Sequence, residues 1–401
     1  MQSQFDFNVK PCTHSRTAAA AFSEIGAGVS FGPNAQEAMR LIDPAIYAAF
    51  EKCKTNNPSP QNAKYWFQFR LGEDKSSRVG KHVLDLQSPT GQSSVHRARY
   101  LDEIIALIRK DIAHFGKRLD NITQHEGHVT LEFQDGTSAK HSAVIGCDGV
   151  KSKTRKIVLG EDNPASNPVF TGKYAYRGLI PMEEAVEALG DDIARNSQLW
   201  LGHHGHVLTF PIEQGRTMNV VAFRSKHDGR WDDEQWVKPM KKEDMYSDFS
   251  GWVDAVQNII GMMQKPDMWA LFDHPPAETY AKGRICILGD SAHASTPHNG
   301  AGAGMAIEDA LVMSNIMSMV YEAKDIPRAF EAYDQVRRPR SQRLVTASRE
   351  QGRLYDLELP GVGDDLEQVK HRLATGRKWI WEFDLEQHVE DAKKLYASLK
   401  E

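Results

Sequence analysis

Residues 283–310 read GRICILGDSAHASTPHNGAGAGMAIEDA, and this stretch decides the fold. Its first part, RICIL, predicts a short buried strand, so Asp290 would follow at the carboxyl end, where α/β sheets bind ligands. Gly300, Gly302 and Gly304 leave backbone N–H groups uncovered where a helix begins, and such an N-terminus favours negative charge. A Gly-Asp turn or a small-residue helix is, taken alone, more often structural. Together, strand, glycine-rich loop and helix predict a nucleotide-binding unit.

The first half of the chain alternates between helical and β-prone segments. A helix is expected after Pro33, a strand at 65–70, and an amphipathic helix along HRARYLDEIIALIRKDIAHF at 96–115. Between 118 and 150, two turn signals separate alternating β-prone runs and predict a three-stranded meander.

The second half begins with four β-prone runs between Gly172 and Arg224, separated by polar turns. Such runs are typical of an antiparallel sheet with one buried face. From Pro327 the tail is expected to be helical, and it closes with a further amphipathic pattern at 375–399. The basic run RRPR at 337–340 lies on this tail, where arginines commonly support helix packing, so a structural role is predicted for it.

Composition excludes several classes of protein. The 401 residues carry a formal net charge of -5, which offers no basic field for phosphate backbones, so nucleic acid is not expected as a partner. Four scattered cysteines, without a CxxC pair or a histidine at ligand spacing, argue against a disulfide framework and structural zinc. No apolar run reaches the roughly 18 residues of a membrane span, and no secretory signal is evident, so a cytoplasmic location is expected.

The stretch at 283–310 resembles the flavin-ribityl signature of the flavoprotein aromatic hydroxylases. The resemblance implies that Asp290 holds the ribityl chain of FAD and that Pro297 lines the flavin near the site of oxygen reaction, beside the substrate. It also implies that Gly302 and Ala303 face the flavin ring. His293 resembles a structural histidine of the family, so no chemistry is assigned to it.

Four further segments resemble the same family. VIGCDGVKSKTR at 144–155 matches its strand-then-DG motif and implies that Asp148 lies near the cofactor, whereas SVHRARYLDEII at 94–105 implies that Arg97 reaches it. Taken alone, the first would be an ordinary turn and the second a solvated arginine. The resemblance is narrowed to the salicylate hydroxylase-like branch by two segments, SEIGAGVSFGPNA at 23–35 and the C-terminal WIWEFDL. This branch includes fungal enzymes of phenolic and polyketide metabolism. The first segment implies that Gly28 is a cofactor-binding position.

Substrate-binding residues follow from the same resemblance. In this branch the arginine of YRG lies over the flavin, which maps onto Arg177, a cation suited to a substrate carboxylate or phenolate. In GHHGHVLTFPI the family places substrate-facing residues at the positions of His206 and Phe210, with Tyr common where this chain has Phe. His203, His204 and His206 together also leave open a metal cluster, although solvated histidines are the commoner arrangement and no metal is predicted.

The implied fold is α/β. It combines an FAD/NAD(P)-binding Rossmann-like domain, N-terminally truncated, with an α+β substrate domain built on an antiparallel sheet and with C-terminal helices. The expected boundaries place the FAD-binding domain at 1–165 and 276–345, the substrate sheet at 166–275 and the helical tail at 346–401.

The implied activity is that of an FAD-dependent monooxygenase acting on a small phenol, a hydroxybenzoate or an aromatic polyketide. NAD(P)H would reduce the flavin, and molecular oxygen would form a flavin hydroperoxide whose terminal oxygen passes to an electron-rich ring carbon. A cation such as Arg177, by stabilising phenolate, would assist this attack and serve catalysis. The sequence gives no prediction of oligomeric state.

One departure from the family concerns the pyrophosphate and adenosine half of the site. The family begins with a strand, GxGxxG, a helix and a second strand ending in a ribose-binding acid, and the printed sequence has no GxGxxG. Alignment places Thr17 about where the acid is expected. A non-catalytic, flavin-free scaffold, or a defective product of a truncated reading frame, therefore remains as an alternative to the hydroxylase.

Overall fold

The computed structural model describes residues 15–16, 28–226, 228–264 and 267–399. Within them, the helices are α1 Pro33–Ile42, α2 Pro44–Cys53, α3 Arg97–Ile105, α4 Lys153–Leu159, α5 Met182–Leu189, α6 Asp191–Arg195, α7 Lys242–Asp248, α8 Asp254–Met262, α9 Asp290–His293, α10 Gly302–Met317, α11 Ile326–Tyr355, α12 Leu366–Thr375, α13 Lys378–Trp381 and α14 Leu385–Ser398. The strands are β1 Ser15–Arg16, β2 Gly28–Ser30, β3 Tyr65–Leu71, β4 His82–Gln87, β5 Ser94–His96, β6 Ala113–His114, β7 Leu119–Gln124, β8 Val129–Phe133, β9 Ser138–His141, β10 Val144–Gly146, β11 Val169–Pro181, β12 Gln198–Gly202, β13 Gly205–Ile212, β14 Thr217–Ser225, β15 Val237–Pro239, β16 Asp267–Asp273, β17 Ala281–Lys282 and β18 Ile285–Ile287.

The largest sheet has eight strands in the order β15-β16-β11-β14-β13-β12-β3-β4. Its strands are antiparallel to their neighbours except for β3 and β12, which run parallel. Because side chains alternate along a strand, Tyr176 packs into the core formed with α5, α7 and α8, whereas Ala175 and Arg177 point to the opposite face. That opposite face also carries His206 and Phe223, which are paired across β13 and β14. The sheet thus separates the core around Tyr176 from a second layer, in which Arg177 and His206 lie among apolar side chains.

A smaller sheet contains the strand predicted from RICIL. β10 and β18 run parallel, with Val144 opposite Ile285, and β17 adds an antiparallel edge. The residues of β18 are completely buried, as expected for a parallel strand that is covered on both faces. They pack against α10, α11 and α14 in the main hydrophobic core. This arrangement places the residues after β18 at the carboxyl edge of the sheet.

Several sequence predictions are confirmed locally. The helix after Pro33 forms with that proline in its first turn, where its missing N–H costs nothing. The three-stranded meander forms as β7-β8-β9. The predicted strand at 65–70 also forms, but as part of β3 it lies in the large sheet beside β12, although the sequence assigned it to the first FAD-binding segment.

Two predicted helices are shorter than their apolar patterns. The helix expected over 96–115 ends at Ile105, and the chain then enters β6, which pairs with β1; Leu107 is left half-exposed. The C-terminal pattern divides into α13 and α14, because the Asp384 side chain accepts the Gln387 N–H and starts a new helix. No helix in the described ranges has the length and apolar character needed to cross a membrane.

Candidate active site

The turn after β18 presents a carboxylate that has no partner among the described residues. Gly289 has a φ of 60°, a conformation that favours glycine, and its N–H donates to Asp309 Oδ2 at 3.0 Å. Asp290 follows at the start of α9 with an exposed side chain that has no hydrogen bond or ion pair within the described part of the chain. His293 is buried and pairs with the same Asp309 oxygen at 2.6 Å, in keeping with the structural role predicted for it. The Asp290 carboxylate is therefore free to accept ligand hydroxyls.

The N-terminus of α10 offers unused donors next to this turn. Within the described ranges no side chain caps the helix at Ala301, so the N–H groups of its first turn lack a capping partner there. Gly302 is half-buried and Ala303 is exposed, which leaves the backbone accessible. A short turn at Pro297–Asn299 leads into the helix through Gly300, which has a φ of 62°. Such an uncapped helix start suits the negatively charged edge of a cofactor ring.

Buried ion pairs hold α10 in place. Arg337 donates to Glu308 at 2.8 Å and to Asp309 at 2.8 Å, and Arg340 donates to both oxygens of Glu308. Asn34 of α1 adds a hydrogen bond to Glu308 at 2.7 Å. Burial opposes ionisation of Glu308, but the two guanidinium groups outweigh it and lower its pKa. The structural role predicted for RRPR is confirmed, since two of its arginines anchor the helix that begins at Gly302.

Asp148 is used differently from Asp290. Its Oδ1 accepts the Ser152 hydroxyl at 2.6 Å, and its Oδ2 accepts the Thr154 N–H at 2.9 Å, so the carboxylate closes the turn before α4. Arg155 from the same motif is buried and donates to the Ala292 carbonyl at 2.6 Å, which ties this turn to α9. The motif thus positions the turn that bears Asp290, and direct contact of Asp148 with a cofactor stays a prediction.

Two arginines predicted from distant segments lie near each other. Arg177 of β11 has its guanidinium carbon 4.6 Å from the centroid of the Trp269 ring, and its buried Nε has no partner among the described residues. Burial lowers the pKa of Arg177, and the nearby charge of Arg97, at the start of α3, lowers it further. The pair forms a positive region on the His206 side of the large sheet, suited to an anionic ligand.

The three histidines of the GHHGH segment do not converge. His203 is exposed and pairs with Glu73 at 2.7 Å, and His204 is exposed and pairs with Glu358. His206 is completely buried, stacks on Phe223 and bonds through Nδ1 to Asp356 Oδ1 at 2.6 Å. The three side chains thus have three separate carboxylate partners, an arrangement unlike a shared metal site.

Phe210 and Gly28 lie against each other. Phe210 is buried on β13 with its ring centroid 6.5 Å from that of Phe67, and a Cβ atom on Gly28 would lie 2.5 Å from the Phe210 ring. The Gly28 N–H donates to the Asn219 side chain at 3.0 Å. Glycine is therefore required at position 28, because β2 approaches the substrate sheet closely there. The predicted contact of Gly28 with a cofactor stays a prediction.

Sequence reasoning missed His298, Asp356 and Lys173. His298 Nδ1 lies 3.3 Å from His206 Nε2, and Lys173 forms a buried ion pair with Asp356. A signal for His298 was present, since it follows Pro297 within the fold-deciding stretch. Asp356 and Lys173 are separated from each other by 183 residues, and no local pattern joins them.

The small parallel sheet with its glycine-rich turn, beside a large and mostly antiparallel sheet, is the architecture of a nucleotide-binding class of protein with a second, sheet-based layer. The family model described as an FAD binding domain matches residues 109–348. The 6-methylsalicylate 1-monooxygenase of Aspergillus terreus is 43% identical over 387 residues, which span 96% of this chain and 86% of that protein. A salicylate hydroxylase of Pseudomonas putida is 37% identical over 399 residues, which span 95% of this chain and 90% of that protein.

Comparison with solved structures indicates the same family. The structure of a salicylate hydroxylase substrate complex superposes with a TM-score of 0.84 at 37% identity, and the match covers 91% of this chain and 90% of the other. The chain belongs to the FAD-dependent monooxygenase family of these relatives. The predicted family, fold class and FAD cofactor are confirmed, and the comparisons give no support to a flavin-free scaffold.

Removal of the free carboxylate is expected to weaken FAD binding. In Asp290→Ala the dissociation constant for FAD should rise about 10- to 150-fold, because a charge-assisted hydrogen bond contributes about 1.5–3 kcal/mol. Flavin fluorescence titration measures the change. Asp162→Ala, which removes an exposed acid far from the turn in sequence, is the control. Equal affinities for Asp290→Ala and wild type would reject the ribityl role of Asp290.

Proposed function

We propose that this protein hydroxylates a small phenol, such as a hydroxybenzoate or an acylated resorcinol, with NAD(P)H and molecular oxygen as co-substrates. The observation that carries the proposal is one face of the large sheet, on which Arg177, His206 and aromatic side chains are displayed. The names of the relatives, which act on salicylate and 6-methylsalicylate, support the same substrate class.

The residues present fit FAD. Asp290 would hold the ribityl hydroxyls, and the N-terminus of α10 at Gly302 and Ala303 would face the ring, with Pro297 alongside and Arg97 reaching the cofactor. When bound and reduced by NAD(P)H, FAD supplies the activated oxygen for transfer to carbon. The protein's own part is to bind and orient the phenol, to exclude water and to manage its proton.

Arg177 would orient the substrate. A guanidinium that is largely buried and has an unpaired Nε–H can bond to a phenolate or carboxylate without competition from water. Stabilising the phenolate raises the electron density of the ring, which favours attack by an electrophilic oxygen. Buried Phe210 and Phe223 would supply apolar contacts for the ring and keep the region dry.

Arg177→Ala is therefore expected to leave FAD binding unchanged and to lower kcat/KM for anionic phenols about 10- to 150-fold, the loss of one charge-assisted hydrogen bond. Arg177→Lys keeps the charge but not the planar pair of donors, so it should recover only part of the rate. Steady-state kinetics on FAD-loaded protein measures both. A kcat/KM value for Arg177→Ala equal to that of the wild type would show that Arg177 supports the fold and does not orient the substrate.

The substrate class is tested by a panel of hydroxybenzoates, methylated hydroxybenzoates and acylated resorcinols, with the matching methoxy compounds as controls. Phenols of the right class should stimulate NAD(P)H oxidation and yield a product with an added oxygen by mass spectrometry. The proposal would be contradicted if the methoxy compounds stimulated NAD(P)H oxidation and were hydroxylated as well as the phenols. It would also be contradicted if none of the phenols stimulated NAD(P)H oxidation. The same panel with NADH and NADPH identifies the reductant.

A cytoplasmic location is part of the proposal and is supported by free cysteines among the described residues.

A further inference from the structure

Asn219 is a buried amide of the large sheet that uses only one of its two polar ends. It lies on β14, and its Oδ1 accepts the Gly28 N–H of β2 at 3.0 Å. Its Nδ2 is buried and has no hydrogen-bond partner among the described residues. Because a buried donor without a partner is costly, such a donor indicates a ligand, a water or an ion that bonds to it. Asn219 is therefore a candidate binding residue.

The hydrogen bond from Gly28 fixes the orientation of the amide. A backbone N–H can only donate, so the amide oxygen of Asn219 must face Gly28 and the NH₂ group must face another direction. β2 is itself held in place by β5, since Gly28 lies opposite His96 in that pair. Asn219 thus offers two N–H donors in one fixed direction.

The register of the sheet places Asn219 beside Arg177. Leu179 on β11 lies opposite Asn219 on β14, and Arg177 is two residues before Leu179, so the three side chains are on one face. Arg177 and Asn219 are diagonal neighbours on adjacent strands, a relation in which Cα atoms are about 7–8 Å apart. The buried Nε of Arg177 also has no partner within the described ranges. Two donors, one of them cationic, therefore share this part of the face.

An aromatic ring lies on one side of the amide and an exposed side chain on the other. Phe210 of β13 lies opposite Asn219, and a Cβ atom on Gly28 would lie 2.5 Å from the Phe210 ring. Leu179 is 44% exposed, so this end of the face lies close to the surface. An aromatic ligand could thus reach the amide from the Leu179 side and contact the Phe210 ring.

The charges around this part of the face favour an anionic ligand. Burial, and after it the charge of Arg97, lower the pKa of Arg177, so a second cation stands close to the first. The carboxylate of Glu213, in the hairpin after β13, is already paired with Arg99 at 3.0 Å and accepts the Thr217 hydroxyl at 2.7 Å. Positive charge together with two available donors suits a carboxylate.

We propose that Asn219 is a specificity-determining residue, which binds a carboxylate of the substrate together with Arg177. The proposal rests on the function proposed above and narrows its substrate class to phenols that carry a carboxylate. One carboxylate oxygen accepts the Arg177 Nε–H and the other accepts an Nδ2–H of Asn219, each at about 2.7–2.9 Å. A neutral acyl group offers only one oxygen, so it leaves one of the two donors without a partner.

The test combines a change in the protein with a change in the ligand. Asn219→Asp keeps an oxygen for the Gly28 N–H and replaces the NH₂ group with a second carboxylate oxygen. In protein saturated with FAD, the dissociation constant of a hydroxybenzoate should rise about 100-fold or more, because a charge-assisted bond is lost and like charges meet. The same phenol without its carboxylate should change by less than about 3-fold. Titration calorimetry at pH 7, where the benzoate is ionised, measures both.

Asn258→Asp is the matched control for the added charge. Asn258 is exposed on α8, which packs against the opposite face of the sheet, so both dissociation constants should stay at their wild-type values. The flavin absorbance of each variant after gel filtration separates loss of FAD from loss of ligand binding. Equal weakening of the two ligands in Asn219→Asp would overturn the proposal, since the amide would then act on the fold or the cofactor.

A second pair of variants reports if Asn219→Asp fails to fold. Leu179→Glu places a negative charge beside the bound carboxylate at an exposed position, whereas Leu179→Gln has the same shape without the charge. The hydroxybenzoate should bind about 3-fold or more weakly to Leu179→Glu than to Leu179→Gln, and the phenol without a carboxylate equally to both. Equal binding of the hydroxybenzoate to these two variants would also overturn the proposal. A wild type that hydroxylates no phenol would instead reject the proposed function, even if the hydroxybenzoate binds as described.

Discussion

Replacing Glu308 with alanine is expected to lower the free energy of unfolding by about 3–5 kcal/mol, because it leaves the buried Arg340 guanidinium without a carboxylate and removes one of the two carboxylates that Arg337 contacts. Arg340 would lose both of its bonds to Glu308, whereas Arg337 would keep Asp309 as its carboxylate partner. The N-terminus of α10, where the cofactor ring is expected, depends on this anchor. Urea denaturation at neutral pH measures the loss.

Two variants control this experiment. Glu37→Ala removes an exposed partner of Arg40 and should cost less than about 1 kcal/mol, as surface ion pairs do. Glu308→Gln keeps the shape and the hydrogen bond from Asn34 while losing the charge, so it should fall between the two. A change of under about 1 kcal/mol in Glu308→Ala would mean that the ion pairs contribute little to the position of α10.

The second large effect concerns FAD affinity. The printed chain carries no GxGxxG, the motif whose backbone and helix N-terminus hold the pyrophosphate. Among the described residues β10 is paired on one side only, by β18, and its Ile145 is 41% exposed. An apolar side chain on an unpaired parallel strand is unusual, because such strands are normally covered. We therefore expect FAD affinity and solubility to rise when a strand-GxGxxG-helix-strand segment is supplied.

Fusion of a relative's strand-GxGxxG-helix-strand segment before Ala18 should restore stoichiometric FAD and raise stability. The flavin-to-protein absorbance ratio after gel filtration with added FAD measures the gain. A fusion in which the GxGxxG glycines are changed to alanine is the control, since it adds the same length without the close backbone approach. Full FAD on the printed chain, with no gain from the fusion, would contradict the expectation. The ribose-binding position at Thr17 lies outside the described residues.

The predictable part of the site is local in sequence. β18, the turn at Asp290 and the uncapped start of α10 follow one another within 283–310, so each constrains the next. The part of the large sheet formed by β11, β12, β13 and β14 was foreseen for the same reason, since β-prone runs between polar turns predict adjacent antiparallel strands. The position of Arg177 on the substrate sheet was predictable too, because Arg177 lies within one of these β-prone runs.

The unpredicted part is made of contacts between distant segments. Asp356 stands after a helix with no motif around it, and only the tertiary fold brings it to His206, 150 residues away. β3 shows a strand pattern, but nothing in that pattern states that β12 would be its parallel partner. The apolar periodicity beyond Ile105 predicted that the helix would continue, but the chain forms β6 there and pairs with β1. Register and partner choice are therefore properties of the whole fold.

The central claim is that the chain transfers oxygen from O₂ to a phenol with FAD at this site. The most direct measurement supplies ¹⁸O₂ and NAD(P)H to the printed chain and to the GxGxxG fusion, each with added FAD, and compares product with NAD(P)H consumed. We predict a hydroxylated phenol that carries a labelled oxygen, formed in near-equal amount to NAD(P)H by the fusion and more slowly by the printed chain. A fusion that binds FAD and oxidises NAD(P)H with every phenol tested, but yields only hydrogen peroxide and unlabelled phenol, would contradict the claim.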